Sequence, residues 1–242
     1  MATAKTPVVL YKYCAPERMN VLRNRLIRFT QRDDLNDIYE MRPSVIFDQE
    51  RYNGAREEVA KVHQQLLQIP ATTREEHQNQ IDYALQQALV LSLSSDWNII
   101  SMWSHYAVSH RGMVIGFDRS DSLLATTTEE VQYTSCFPMM DDDFRVAIFH
   151  KSEQWQQERE WRSLRVLGKD VPDQTPHDGI HLFGFSPKAV AEVIIGHRMS
   201  DSDTRRIRRI LKQPQYGHVR IFQAVPDEHA WAIERKELSP CR

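Results

Sequence analysis

Three apolar runs constrain this chain more than any other feature: "ALVLSLS" (Ala88–Ser94), "MVIGF" (Met113–Phe117) and "AEVIIG" (Ala191–Gly196). Runs of this length, bounded by turn-forming residues, read as buried strands. Further strand-type segments are "PVVLYKY" (Pro7–Tyr13), "IRFTQ" (Ile27–Gln31), "EEVQYTS" (Glu129–Ser135), "EREWRSLRVL" (Glu158–Leu167), "HVRIFQAV" (His218–Val225) and "AWAIERKEL" (Ala230–Leu238). They are rich in β-branched and aromatic residues. Helix-type segments stand among them: "PERMNVLRNRL", "NIISMWSHYAVSH", "DDDFRVAIFHKSEQW" and the capped basic "SDSDTRRIRRILKQ". Gly112 is placed to stop the second of these. The two types mix without strict strand–helix–strand alternation. That order predicts an α+β fold, a mixed and largely antiparallel sheet with packed helices.

Residues 49–87 change character. The stretch is rich in Gln and Glu, with helical spacing at Val59, Val62, Leu66 and Ile69 and again at Ile81, Leu85 and Leu89. Pro70 splits it, and Thr73 with Glu76 forms a capping box for the second half. It reads as an inserted helical hairpin that could be shortened without loss of the rest. The 242 residues are then a single domain, 1–242, with 49–87 a helical excursion.

Composition narrows the function classes. Lys and Arg number 31 against 33 Asp and Glu, so no strong non-specific attraction to nucleic acid or acidic lipid is expected. Cys14, Cys136 and Cys241 are far apart and odd in number, which suits a reducing cytoplasm and neither a disulfide framework nor a zinc knuckle. The opening "MATAKTPVVLYKY" is too briefly apolar for a signal peptide, and no run reaches the roughly 18 apolar residues of a membrane span.

Two stretches carry candidate chemistry. "MWSHYAVSHRG" holds His105, Tyr106 and His110; the two His are five apart, so no helical metal pair forms and no metal is expected. Its aromatics either bury ring area or, with His105 and Tyr106, line a cleft. "EREWR" places Glu158 and Glu160 on one face of a strand, expected beside "MVIGF", with Arg159 and Trp161 on the other. Paired carboxylates suit acid–base work or the gripping of sugar hydroxyls. The plain alternative is a surface strand laced with Glu–Arg pairs. "RRIRR" (Arg205–Arg209) reads as a solvated basic face, or else as a nucleic-acid patch.

In order along the chain, "LYKY", "LNDIYE", "MWSHYAVSHRGMVIGFD", "K…W…EREWR" and "FSPKAVAEVIIGHRMS" resemble the landmarks of the bacterial DUF2971 family, from about Val9 to the last strand. "LNDIYE" departs from the usual Phe-Asn-Asp-Pro-Phe-Glu-like run but keeps Asn36, Asp37 and Glu40. "LSLSSD" replaces a Cys-Phe-Ser-like strand. This resemblance implies a fold and a set of polar residues, not a reaction.

A looser similarity is to ADP-ribosyltransferases, which cleave the nicotinamide–ribose bond of NAD. They carry an aromatic or basic residue on the first strand, a Ser on a middle strand and Glu-x-Glu on a late one. Tyr11, Lys12 and Tyr13, then Ser92 and Ser94, then Glu158 and Glu160 stand in that order. The similarity implies a cytoplasmic nucleotide-binding protein with NAD as substrate and a protein or nucleic-acid acceptor. Glu160 would be the catalytic carboxylate and Glu158 its assistant. Tyr11, Lys12, Ser94, His105 and Tyr106 would hold the dinucleotide. The rival expectation is a non-enzymatic interaction module in a bacterial defence or toxin–partner system.

Overall fold

The computed structural model describes residues 8–45, 73–125, 128–140, 143–175, 177 and 179–238. Strand β1 (Val9–Cys14) leads through a short 3₁₀ turn into α1 (Asn20–Asn24), then β2 (Leu26–Gln31) and β3 (Ser44–Val45). Helix α2 (Arg74–Gln86) runs directly into β4 (Ala88–Ser94), followed by α3 (Ile100–His105) and β5 (Met113–Asp118). Short strands β6 (Thr128–Glu130), β7 (Gln132–Thr134) and β8 (Met139–Met140) come next, then α4 (Phe144–Phe149) and β9 (His150–Ser152). The chain closes with β10 (Glu160–Val166), β11 (Ile180–Gly184), β12 (Val190–Ile195), α5 (Asp201–Leu211), β13 (Arg220–Pro226) and β14 (Ile233–Glu237).

Ten strands make one sheet in the order β11-β2-β4-β1-β5-β12-β13-β14, with β10 on β4 and β6 on β10. Its pairs are antiparallel except β12–β13. A parallel pair needs a crossover, and α5 supplies it. Ser200 caps α5 by accepting the Asp203 N–H at 3.1 Å, and Ile207, Ile210 and Leu211 turn into the core. The fold is α+β, as the mixed order of segments predicts.

Alternation sorts the apolar side chains to two faces. Leu91, Leu93, Met113, Ile115, Val193 and Ile195 join one large cluster on one face. On the other face the apolar residues divide. Val114, Ile194, Trp103, Tyr11 and Tyr13 gather on one side. Val90, Met41, Ile81, Leu85, Ile148 and Phe149 gather on the other. The functional candidates lie between these two.

The sheet opens at this place. One edge of β4 pairs with β10 along its whole length, from Ser94↔Glu160 to Ala88↔Val166. The other edge is shared: Leu89 and Val90 pair with β2, and Ser94 pairs with Tyr11 of β1. Among the described residues, Leu91–Leu93 have no ladder partner on that edge. A buried carbonyl left there would be costly, and Lys12 Nζ donates to Ser92 O at 2.8 Å.

Several expectations are corrected. β10 lies beside β4, not beside β5. The strand starts only at Glu160, because Glu153–Glu158 form a 3₁₀ turn. "EEVQYTS" splits into β6 and β7. The "DDDFRVAIFHKSEQW" helix ends at Phe149, and β11 was not foreseen. The "NIISMWSHYAVSH" helix is only Ile100–His105. After it Val108, Ser109 and His110 all take left-handed φ values of 48°, 52° and 67°, at a cost of roughly 1–2 kcal/mol each for non-glycine residues. Gly112 serves close approach, not helix termination: a Cβ there would lie 2.0 Å from Cys14 O.

Of the helical excursion, residues 49–72 lie outside the described residues. Its second half is α2, capped by Thr73 as expected. Ile81 and Leu85 are buried in the core beside β4, so this half is no removable appendage. Among the described residues no helix is long and apolar enough to cross a membrane. Leu85→Ala is expected to cost about 2–5 kcal/mol in urea unfolding, the usual range for a buried leucine. A loss well under 1 kcal/mol would show that α2 does not hold the core together.

Candidate functional site

The opening beside β4 is a cavity of about 230 Å³. Tyr11, Lys12 and Tyr13 line one side, Ser92 its back, and Asp34, Asn36 and Glu40 the segment above. Tyr106, Lys151, Glu158 and Glu160 complete it. A second cavity of about 390 Å³ shares Lys12, Tyr13, Thr30 and Tyr106 with the first and continues past Arg18 and Arg28. By strict alternation Lys12 should point away from Tyr11 and Tyr13. All three reach the opening because β1 borders the split.

At the floor lies a buried ionic cluster. Lys151 Nζ contacts Glu40 Oε1 at 2.7 Å, Glu158 Oε2 at 2.8 Å and Glu160 Oε2 at 2.9 Å. Arg162 donates through Nε to Glu160 Oε1 at 2.8 Å, through Nη2 to Glu40 Oε1 at 2.8 Å, and through Nη1 to Ile148 O at 2.6 Å. Each of the five side chains is at least 94% buried. Burial by itself would raise the Glu160 pKa, but the Arg162 and Lys151 charges overcome it and hold the carboxyl far below its ordinary range. Burial likewise opposes the Lys151 charge, and Glu160, Glu40 and Glu158 together keep it protonated. Lys12 differs: burial holds its amine below the usual lysine value, against the pull of Cys14, Glu160 and Glu158.

Glu158 and Glu160 meet at Lys151 by a different route from strand alternation. Arg159 is left-handed, at φ 46°, and turns the chain between them. Ser94 Oγ donates to Glu158 O at 2.7 Å and fixes the turn from behind. Tyr133 Oη accepts the Glu160 N–H at 2.8 Å. Tyr106 Oη donates to Glu158 Oε1 at 2.6 Å and accepts from Asn36 Nδ2 at 3.0 Å. Burial and the Glu158 carboxylate keep that phenol protonated.

Of the expected residues, Tyr11, Lys12, Tyr106, Glu158 and Glu160 line the one cavity. Ser94 and His105 do not. Ser94 is fully buried and positions backbone, and Ser92 faces the cavity in its place. His105 is exposed, with its ring edge-on to Tyr106 at 6.4 Å. The Tyr11 hydroxyl is committed elsewhere: it donates to Glu192 Oε1 at 2.9 Å, and burial with the Glu192 charge raises its pKa to about 12. Its ring is what the cavity sees.

Sequence reasoning did not place Lys151 or Arg162 in the site. Lys151 falls in the helix-type segment "DDDFRVAIFHKSEQW", and for Arg162 the "EREWR" pattern offers only Glu–Arg pairing. Among the described residues no group of three or more His, Cys, Asp or Glu is arranged to hold a metal. No protein-family model, curated protein or solved structure matches the chain.

Two measurements test the cluster. Arg162→Met leaves Glu160 and Glu40 short of a buried cation, so a loss of about 3–5 kcal/mol is expected in urea unfolding. The acid limb follows from the sign of the Glu160 shift. A carboxyl whose folded pKa is depressed contributes stability that is complete above its ordinary value of 4.5 and declines as pH falls below it. Melting temperature should therefore drop below pH 4.5, and drop less steeply in Glu160→Gln. Equal slopes in the two proteins would contradict the assignment.

Proposed function

We propose that this chain is a cytoplasmic, DUF2971-like protein that binds a nicotinamide dinucleotide at the split beside β4 and cleaves its nicotinamide–ribose bond, as in ADP-ribosyl transfer. The observation that carries this reading is the convergence of Tyr11, Lys12, Tyr106, Glu158 and Glu160 on one cavity. The inner cavity is walled by aromatic rings, by carboxylates and by the amines of Lys12 and Lys151, and the rings suit the nicotinamide ring of NAD. The outer cavity brings Lys12, Arg18 and Arg28 together, which suits a pyrophosphate. Arg28 is partly engaged by Asp34 and Gly179 O; among the described residues no side-chain hydrogen bond or ion pair ties Arg18.

In this reaction the bond from ribose C1′ to the nicotinamide nitrogen breaks. Its electron pair leaves with the ring, which becomes neutral, and positive charge develops on the ribose. An ionised carboxylate beside that charge lowers the barrier. Water or an acceptor side chain then bonds to C1′ and loses its proton. Glu160 is the residue held ionised, but Arg162 and Lys151 occupy both its oxygens. Glu158 receives one bond from Tyr106 and one from Lys151, and keeps capacity for a ribose hydroxyl.

The second reading, a binding module without chemistry, has one observation in its favour. The Lys151 ammonium is already engaged inside the cluster, donating to Glu158 and Glu160 and paired with Glu40.

The test is incubation with NAD and measurement of released nicotinamide, with and without bacterial extract as acceptor. Release is expected, and Glu158→Gln should lower it about 10²–10³-fold while binding of ADP-ribose persists. Glu158 is the better probe, because Glu160→Gln also breaks the pair with Arg162 and unsettles the fold. Binding of NAD without release supports the module. Neither binding nor release sinks both readings.

A further inference from the structure

Two landmarks of the sequence, "SHRG" (Ser109–Gly112) and "GHR" (Gly196–Arg198), take no part in the site above. The fold sets them side by side. Gly196 N donates to Gly112 O at 2.9 Å, and Arg198 N donates to His110 O at 2.9 Å. Only glycine permits this approach: a Cβ on Gly196 would stand 2.3 Å from His110 O. His110 is held there by the left-handed Val108–His110 turn and by stacking on the buried Trp103 ring, with planes 4° apart. Backbone conformations of this kind persist where surrounding structure enforces them and concentrate at functional sites.

These segments form one wall of a cavity of about 610 Å³, the largest of those described. His110, His197 and Arg198 make one end; the β13–β14 turn, with His229 and Trp231, makes the other. No side-chain hydrogen bond or ion pair ties the Arg198 guanidinium among the described residues. Burial, with the charges of Arg198 and His197, holds the His110 pKa below that of a free imidazole, and the fixed positive charge at this end is the Arg198 guanidinium. Two acids, Asp227 and Glu228, line the cavity from the β13–β14 turn. The Asp227 carboxylate is engaged by the His229 and Ala230 N–H groups at 2.6 and 2.8 Å, and Glu228 is exposed on the turn. Trp231 is fully exposed, an apolar ring with nothing packed on it.

We propose that this cavity is a second ligand site, for a nucleoside phosphate: the phosphate sits against Arg198, His197 and His110, and the base stacks on Trp231. A guanidinium with imidazoles recognises phosphate oxygens, an indole offers a stacking face to any base, and the volume is in the range of small-ligand sites. The assignment is independent of the chemistry proposed for the first cavity.

Titration calorimetry of the full chain with ADP, adenosine and inorganic phosphate tests it. ADP is expected to bind more tightly than either component. Arg198→Ala should weaken ADP about tenfold or more, the usual effect of losing a charge-assisted contact, and Trp231→Ala should also weaken it. Both positions are exposed, so both variants should melt as the wild type does. Read in a Lys12→Ala background, which weakens the pyrophosphate site proposed for the first cavity, the effects of Arg198→Ala and Trp231→Ala on ADP should persist. No ADP binding, or binding undiminished in both Arg198→Ala and Trp231→Ala, overturns the proposal. Phosphate binding as tightly as ADP, with Trp231→Ala silent, removes the nucleoside from it.

Discussion

The ammonium of Lys151, held among three carboxylates, is the contact on which the site depends. Taking five charged side chains out of water is costly, and such clusters are often no more stabilising than apolar packing of the same volume. Stability alone therefore does not account for it. What the cluster supplies is a fixed arrangement of charge where the sheet divides. β10 rides the full length of one edge of β4, while β1 and β2 diverge on the other. Glu160 and Arg162 project from β10 onto the face where the apolar core is itself in two parts. Glu40 arrives from the segment after β2, and Lys151 from β9. Remove the ammonium and Arg162 alone is left for Glu40 and Glu160, while Glu158 loses its buried cation.

The strands of the central sheet were legible because their apolar runs are short, nearly unbroken and bounded by turn residues. "ALVLSLS", "MVIGF" and "AEVIIG" became β4, β5 and most of β12. The mixed order of segments likewise gave the α+β class. Legibility failed where the backbone adopts a conformation that its residues do not advertise. Arg159 is left-handed without being Gly or Asn, so Glu158 and Glu160 looked like neighbours on one strand. Val108, Ser109 and His110 are left-handed too, so a helix that stops at His105 seemed to run on.

The candidate site was half legible for a related reason. Periodicity tells which face a side chain takes but not what lies opposite it. Ser92 and Ser94 share a face of β4, yet Ser94 is covered by the Glu158 turn and Ser92 is open. Lys151 is the K of the "K…W…EREWR" landmark, but its role depends on Glu40 as well as on Glu158 and Glu160, and no local pattern brings Glu40 to it.

β1 ties these parts together. Tyr11, Gly116 and Glu192 lie in one row across β1, β5 and β12. A Cβ on Gly116 would stand 2.8 Å from the Glu192 side chain and 3.1 Å from the Tyr11 ring. Glycine there lets the tyrosine hydroxyl reach the glutamate across an intervening strand. Arg220 and Arg235 close on the same carboxylate, and Arg235 covers the Phe222 ring at 4.3 Å. Thus the strand that borders the cavity is anchored by a second buried ionic group, far from Lys151 in sequence. Two residues on, the Tyr13 ring meets Trp103 edge-on at 5.6 Å, and Trp103 in turn stacks on His110. Tyr13 lines the first cavity and His110 the largest one. A contiguous stack of three rings therefore separates the two. Closely packed rings do not deform by small amounts, so a shift of His110 has to be taken up by Trp103 or passed on to Tyr13.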